Sequence, residues 1–243
     1  MSQQVAATES ADGRWKTLYR IGAIAPLVTM AAYVSEIVLV DWEAFPTTTH
    51  EWYQLFEQSR PLAFFYLNGL DMFSIALLGP MFLALCVALR RQNVSWVVVV
   101  GFFASLGIGV FVALRAPMLA LLPLSDRYAA AVTEAEQTLL LTVGEALGAP
   151  WQATFQTVGF LFIALAVLIL SLVMVRSPRF AKVTSYVGIG AGALVVADFV
   201  CLFLLPSLAD PLMYAGMLFW FVWWIMVSVG LFRLSRGGGS RAG

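Results

Sequence analysis

The chain has 243 residues, of which 61% are hydrophobic and only 12% are charged, and its formal net charge is zero. Soluble domains carry roughly 25% charged residues, so this composition excludes an ordinary water-facing surface and indicates a membrane protein. Two cysteines without a CxxC pair give no basis for a disulfide framework or a zinc site. No feature of the sequence suggests a nucleic-acid partner.

Six apolar segments follow a polar N-terminal tail, which we assign to residues 1–15 and expect in the cytoplasm. Each is about 20 residues or more, the length that crosses a bilayer core. They span residues 17–40, 62–89, 94–115, 152–176, 183–206 and 211–232. We therefore predict one all-α domain over residues 16–233, a bundle of six transmembrane helices, followed by a flexible Gly/Ser-rich tail at 234–243.

Two loops between these segments have the pattern of amphipathic helices. In "TTTHEWYQLFEQS", Thr48 and Glu51 have the spacing of a capping box, which predicts a short helix lying on the outer leaflet. In "LSDRYAAAVTEAEQTLLLTVGEALGAP", Ser125 is the expected N-cap, and Gly148 with Pro150 is the expected stop. We expect both helices to cover the outer ends of the bundle, or alternatively to move as a lid over a pocket.

The lysines and arginines predict which way the chain crosses the membrane, because they concentrate in cytoplasmic loops. With both termini inside, the inner side holds Arg14, Lys16, Arg20, Arg90, Arg91, Arg176, Arg179, Lys182, Arg233, Arg236 and Arg241. The outer side then holds only Arg60, Arg115 and Arg127. This asymmetry predicts a multi-pass protein with both termini in the cytoplasm.

Strongly polar residues within the spans concentrate toward the predicted outer ends. At a rise of 1.5 Å per residue, Asp71 should lie roughly 14 Å and Asp198 roughly 12 Å from the outer ends of their helices. Glu36, Arg115, Asn68 and Gln156 complete this set of candidate ligand- or ion-binding residues. Asn68 and Asp71 are three residues apart, so we expect them to share a helix face with Ser74.

The three acids and one arginine of this set carry a formal charge of −2, which is costly at low dielectric. Protonation of the acids, a bound cation or ammonium group, or water entering from outside would each reduce that cost. A structural hydrogen-bond network without any ligand is the alternative. The sequence leaves these readings open.

Three tryptophans, Trp220, Trp223 and Trp224, lie in the segment "FWFVWW" of the sixth span, deeper than an interfacial aromatic belt explains. They predict either packing within the bundle or a contact for a partner helix or a flat apolar ligand.

No catalytic set is recognisable, since GxSxG, HExxH and P-loop motifs are absent and His50 is the only histidine. One histidine cannot supply a histidine metal cluster or paired haem ligands, and the sequence identifies no cofactor. An intramembrane enzyme would need carboxylates close enough for acid–base chemistry, a distance that sequence does not give.

The loop "LSDRYAAAVTEAEQTLLLTVGEAL" and the helix opening "YVGIGAGAL" resemble an uncharacterised bacterial family of six-helix integral membrane proteins, known only as a domain of unknown function. The resemblance covers about Trp15 to Arg233. It implies six spans in a bacterial cytoplasmic membrane and no particular activity. This chain departs from the family in the aromatic density of its sixth span.

Two functional hypotheses follow from these patterns. The acidic cluster favours a protein that binds or transports a small solute or cation from the outer side. The aromatic sixth span favours a non-catalytic accessory subunit of a larger membrane complex.

Overall fold

The computed structural model describes residues 13–67 and 69–237, and for residues 150–157 it describes the backbone alone. Within these ranges the chain forms helices and no strand. The α-helices are α1 (Lys16–Leu39), α2 (Thr49–Gln58), α3 (Arg60–Tyr66), α4 (Gly69–Leu89), α5 (Val94–Arg115), α6 (Leu121–Ala130), α7 (Glu134–Val175), α8 (Lys182–Leu204) and α9 (Pro206–Ser235). A short 3-10 helix, Ala116–Ala120, joins α5 to α6.

Six helices of the described chain, α1, α4, α5, α7, α8 and α9, contain stretches long and apolar enough to cross a membrane. The predicted all-α, six-span architecture is therefore confirmed, and the chain is a multi-pass membrane protein. The polar tails fall mostly outside the described residues, which exclude 1–12 and 238–243.

The six long helices form a ring in chain order. Each packs mainly on its neighbours in sequence, and α9 closes the ring by packing on α1. Because successive helices run in opposite directions, both described termini lie at one end of the bundle, which we call the terminal end. The opposite end, where α1, α5 and α8 finish and α4 and α9 begin, is the loop end.

Small residues allow the close approach of α1 to α4. A Cβ added at Gly22 would lie 2.5 Å from the Cβ of Ala84 and 3.0 Å from the carbonyl oxygen of Pro80. Two turns further along α1, the hydroxyl of Thr29 donates to the backbone carbonyl of Ser74 at 2.7 Å. Interhelical contacts of small and hydroxyl residues are the usual means of packing within membranes.

The short helices α2, α3 and α6 form a layer over the loop end. The capping box predicted for Thr48 and Glu51 is present at the start of α2. Tyr53 of α2 donates from its hydroxyl to the carbonyl of Leu140 at 2.8 Å. Arg60 pairs with Asp126 at 2.8 Å on the exposed surface, so side-chain contacts join α3 to α6 and α2 to α7.

Two predicted boundaries were wrong. The second span begins at Gly69, because the separate helix α3 ends at Tyr66. Asp71 therefore lies in the first turn of α4, about 3 Å from its start at 1.5 Å per residue, and not two turns inside. Asp198 is also closer to its helix end, since α8 finishes at Leu204.

The second predicted outer helix is divided. Ser125 is inside α6 and is not an N-cap, and this helix ends at Ala130. Thr133 is the true cap, accepting a hydrogen bond from the backbone amide of Glu136 at 3.3 Å. From there α7 runs for 42 residues past Gly148 and Pro150 into the fourth span, so the expected stop does not end the helix.

Candidate functional site

A cavity of about 690 Å³ opens at the loop end of the bundle, bounded mainly by α1, α8 and α9. This volume is in the range of small-molecule sites, roughly 300–1,000 Å³. Its buried charged side chains are those of Glu36, Asp71 and Arg115, a group that we call the floor. Asp198 and Asp210 line it as well, and most of the remaining wall is aromatic or aliphatic.

An ion pair between α4 and α5 forms the floor of the cavity. The guanidinium of Arg115 lies 3.2 Å from the Asp71 carboxylate, and both side chains are almost wholly buried. The same guanidinium donates to the carbonyl of Leu67 at 2.6 Å and lies 5.4 Å from the ring centroid of Phe111. The break between α3 and α4 makes this contact possible, because Leu67 lies just beyond the end of α3.

Glu36 reaches the ion pair from α1. It follows Gly22 and Thr29 at seven-residue intervals, so all three lie on the face of α1 that packs against α4. Its carboxyl is within hydrogen-bonding reach of the Asp71 carboxyl and of the backbone amide of Leu70. The residue is only 3% exposed, and its Oε1 is buried with no hydrogen-bond partner among the described residues.

Two further acids line the cavity away from this floor. Asp198 of α8 is partly buried, and Asp210 near the start of α9 is exposed. The two are close enough to interact electrostatically. The cavity therefore has two buried carboxyl groups and two that are more exposed.

Aromatic rings form another part of the cavity lining. Tyr33 lies 6.3 Å from Trp224 and 6.4 Å from Phe221, measured between ring centroids. Trp220 is stacked on Trp224 at 6.1 Å, and Phe160 lies edge-on to Trp220 at 5.5 Å. All five rings border the cavity.

The three tryptophans predicted as partner or ligand contacts are buried within the bundle. Trp220 and Trp224 line the cavity, whereas Trp223 packs away from it against Gly188 of α8. All three are at most 4% exposed, so the lipid-facing side of α9 does not present them to a partner helix.

The structure places the side chains of Glu36, Asp71, Arg115 and Asp198 in the lining of one cavity. Asn68 lies outside the described residues, and the side chain of Gln156 lies in the segment described by backbone alone.

Sequence reasoning missed Tyr33 and Asp210 as cavity residues. Tyr33 is one turn before Glu36, and the seven-residue spacing of Gly22, Thr29 and Glu36 could have indicated that this part of α1 faces inward. Asp210 gave no such signal, because it was assigned to a loop, whereas α9 begins at Pro206.

The described lining of the cavity combines carboxyl groups with aromatic rings. Within the described residues no three His, Cys, Asp or Glu side chains are placed to hold a metal ion together. Aromatic faces attract cations within about 6 Å of the ring centroid, and carboxylates add charge pairing.

Comparison with known proteins gives a family and no activity. Residues 58–230 match the family described as a domain of unknown function, DUF4386. No curated protein and no solved structure matches the chain. The matched region runs from the end of α2 into α9 and includes Asp71, Arg115 and Asp198, whereas Glu36 on α1 precedes it. The chain belongs to the DUF4386 family, whose function is unknown.

Proposed function

We propose that this membrane protein binds a small organic cation in the cavity at its loop end and that it is a solute-binding or transport protein of the outer face. The observation that carries the proposal is the presence of four carboxyl groups, two of them buried, in the lining of one cavity that also has aromatic walls.

The charge balance supports a cationic ligand. Glu36, Asp71, Asp198 and Asp210 line the cavity with Arg115, which gives a formal charge of −3 when every acid is ionised. A charge of this size within a membrane span is expensive unless it is paired or hydrated. A cation in the cavity would pair with the acids, and its apolar part would contact the aromatic wall.

The orientation of the protein belongs to the same proposal. Lysines and arginines cluster at the terminal end, whereas the loop end holds Arg60, Arg115 and Arg127. By the positive-inside rule, the terminal end faces the cytoplasm of a bacterial cell and the cavity opens to the outer side of the cytoplasmic membrane.

Thermal-shift measurements on the purified protein test the binding proposal. A panel of inorganic cations, primary amines and quaternary ammonium ions is added to the wild type, Asp71→Asn and Asp198→Asn. We expect at least one organic cation to stabilise the wild type and to stabilise each variant less. Asp126→Asn, which removes an exposed acid outside the cavity, is the matched control and should respond like the wild type. Equal responses in all four proteins would contradict the proposal.

The alternative proposal is a non-catalytic accessory subunit of a larger membrane complex. The three tryptophans that motivated it are buried within the bundle, so the partner would have to bind another surface. Purification in a mild detergent tests this alternative, because a stoichiometric partner would co-purify and a monodisperse single chain would count against it.

A further inference from the structure

We propose that the floor of the cavity exchanges a proton for the bound cation, with the Glu36 and Asp71 carboxyl pair as the exchanging group. This inference rests on the proposed function, because it concerns the same cavity and adds how occupancy is coupled to pH.

The local charge of the floor favours a shared proton. Glu36, Asp71 and Arg115 meet in one buried cluster, each only 3% exposed. Arg115 neutralises one carboxylate, so the cluster carries a formal charge of −1 when both acids are ionised. An uncompensated charge in such a site is costly, and two neighbouring carboxyls commonly resolve this by holding one proton between them.

The geometry of the carboxyl pair allows the two groups to share a proton. The Glu36 carboxyl is within hydrogen-bonding reach of that of Asp71, and Asp71 accepts from Arg115 at 3.2 Å. A shared proton would join the two carboxyls when the cavity holds no cation. The remaining oxygen of Glu36, Oε1, is buried without a partner among the described residues, so a cation beside Glu36 would supply compensating charge that this oxygen otherwise lacks.

The exchange replaces the shared proton with the bound cation. When a cation enters the cavity and approaches Glu36, its charge replaces that of the shared proton. The O–H bond of the protonated carboxyl breaks, the proton passes to water in the cavity, and the resulting carboxylate pairs with the cation. The total charge of the cluster is unchanged, so proton and cation exclude each other.

The surrounding groups limit which residues can take part. The titratable or charged side chains lining the cavity are Tyr33 and Glu36 from α1, Asp71 from α4, Arg115 from α5, Asp198 from α8, and Asp210 with Tyr214 from α9. The described cavity residue of α7 is Phe160, which carries no charge. Asp198 and Asp210 are more exposed than the buried pair, so they would increase the local cation concentration without joining it.

The test uses benzyltrimethylammonium, which has an aromatic ring and no titratable proton, so any proton released comes from the protein. The full chain in lipid nanodiscs is titrated by calorimetry in buffers with different ionisation enthalpies, from about pH 5 to 9. We expect release of up to about one proton for each cation bound, and a dissociation constant that rises about tenfold for each unit of pH below the pKa of the pair.

Two variants test whether the released proton comes from the Glu36 and Asp71 pair. Glu36→Gln should bind the cation more weakly and release no proton. Glu57→Gln, a matched substitution on the exposed surface of α2, should bind and release like the wild type. If Glu36→Gln does not fold, the pH slope and proton release of the wild type still decide the question.

The outcomes separate the two proposals. Binding to the wild type without proton release, and with an affinity independent of pH, would overturn the exchange mechanism and leave the proposed function standing. Proton release that persists in Glu36→Gln would overturn the assignment to this pair. The absence of any cation binding to the wild type would overturn the proposed function and the exchange with it.

Discussion

The contacts of Arg115 show how a single residue connects three parts of the chain. It terminates α5, pairs with Asp71 at the start of α4, and donates to the carbonyl of Leu67 beyond the end of α3. Removing one partner of a buried ion pair leaves the other charge desolvated, which is far more damaging than the loss of an exposed pair.

We therefore expect Asp71→Asn to lower the free energy of unfolding by about 3 kcal/mol. The loss is at the lower end of the usual range because Glu36 still lies close to Arg115. Denaturant unfolding in detergent, followed by circular dichroism, measures the change.

Asp126→Asn is the control for this prediction, since Asp126 forms an exposed pair with Arg60. Its effect should be no more than about 1 kcal/mol. Similar losses in the two variants would show that the buried pair has no special structural role.

The identity of the site residues was partly predictable from sequence. Glu36, Asp71 and Asp198 are conspicuous because charged side chains are rare within membrane spans. The pairing of Asp71 with Arg115 and the approach of Glu36 were not predictable, because both depend on α3 ending at Tyr66 and on which helices are neighbours in the ring. Tyr33 carries no charge and does not stand out in the sequence, since aromatic side chains are common in membrane spans.

At the scale of helices, the packing of α1 on α4 is what brings Glu36 to Asp71. Gly22, Thr29 and Glu36 lie along one face of α1 and meet Ala84, Ser74 and the start of α4 in turn. A change at the far end of this face should therefore alter the site without touching it.

Gly22→Leu should force α1 away from α4, because even a Cβ at this position would lie 2.5 Å from Ala84. We expect a loss of about 1–3 kcal/mol from overpacking together with weaker cation binding. Thermal unfolding and the cation titration measure the two effects.

Gly101→Leu is the matched control, since a Cβ added at Gly101 on α5 meets nothing within 4 Å. It should leave both stability and binding close to those of the wild type. Equal damage from both substitutions would show that the tight crossing is not the cause.

The capping box of α2 gives the loop-end layer a dependence on pH. Hydrogen bonds from the backbone amides of Thr47 and Thr48 lower the pKa of Glu51 below its ordinary value. A carboxyl with a lowered pKa in the folded state contributes stability above its unfolded pKa, and this contribution is lost as the pH falls through the folded pKa.

We expect the backbone amides of α2 to lose protection from hydrogen exchange as the pH falls below about 4, after correction for the intrinsic pH dependence of exchange. In Glu51→Gln, protection should be lower at neutral pH and should lose this pH dependence. A wild-type helix equally protected at both pH values would contradict the prediction.

The helices themselves were more predictable than their ends. Apolar length identifies all six spans, and the spacing of Thr48 and Glu51 identifies the start of α2. The start of the helix that contains the fourth span was harder to predict, because α7 begins at Glu134 and runs as one helix from the loop-end layer into the bundle. Gly148 and Pro150 indicate a stop by local preference, and the long-range packing of α7 on α5 and α8 prevails over that preference.

At the scale of the whole molecule, charge and cavity lie at opposite ends. The basic residues cluster at the terminal end, and the acid-lined cavity opens at the loop end. If the positive-inside rule sets the orientation, a cationic solute reaches the cavity from outside the cell.

A reporter at the C-terminus tests this orientation. A fused green fluorescent protein should be fluorescent, since it folds in the cytoplasm, and a fused alkaline phosphatase should be inactive, since it requires the oxidising periplasm. Active phosphatase together with a dark fluorescent fusion would place the cavity on the cytoplasmic side and contradict the proposed orientation.

The central claim is that the cavity binds an organic cation through its buried carboxyl pair. Equilibrium binding of radiolabelled benzyltrimethylammonium to the purified protein in nanodiscs measures this most directly, with wild type, Glu36→Gln and Glu57→Gln compared at one pH. We predict saturable binding at one site in the wild type and in Glu57→Gln, and affinity reduced at least about tenfold in Glu36→Gln, the equivalent of about 1.4 kcal/mol. No saturable binding to the wild type, or equal affinity in all three proteins, would contradict the claim.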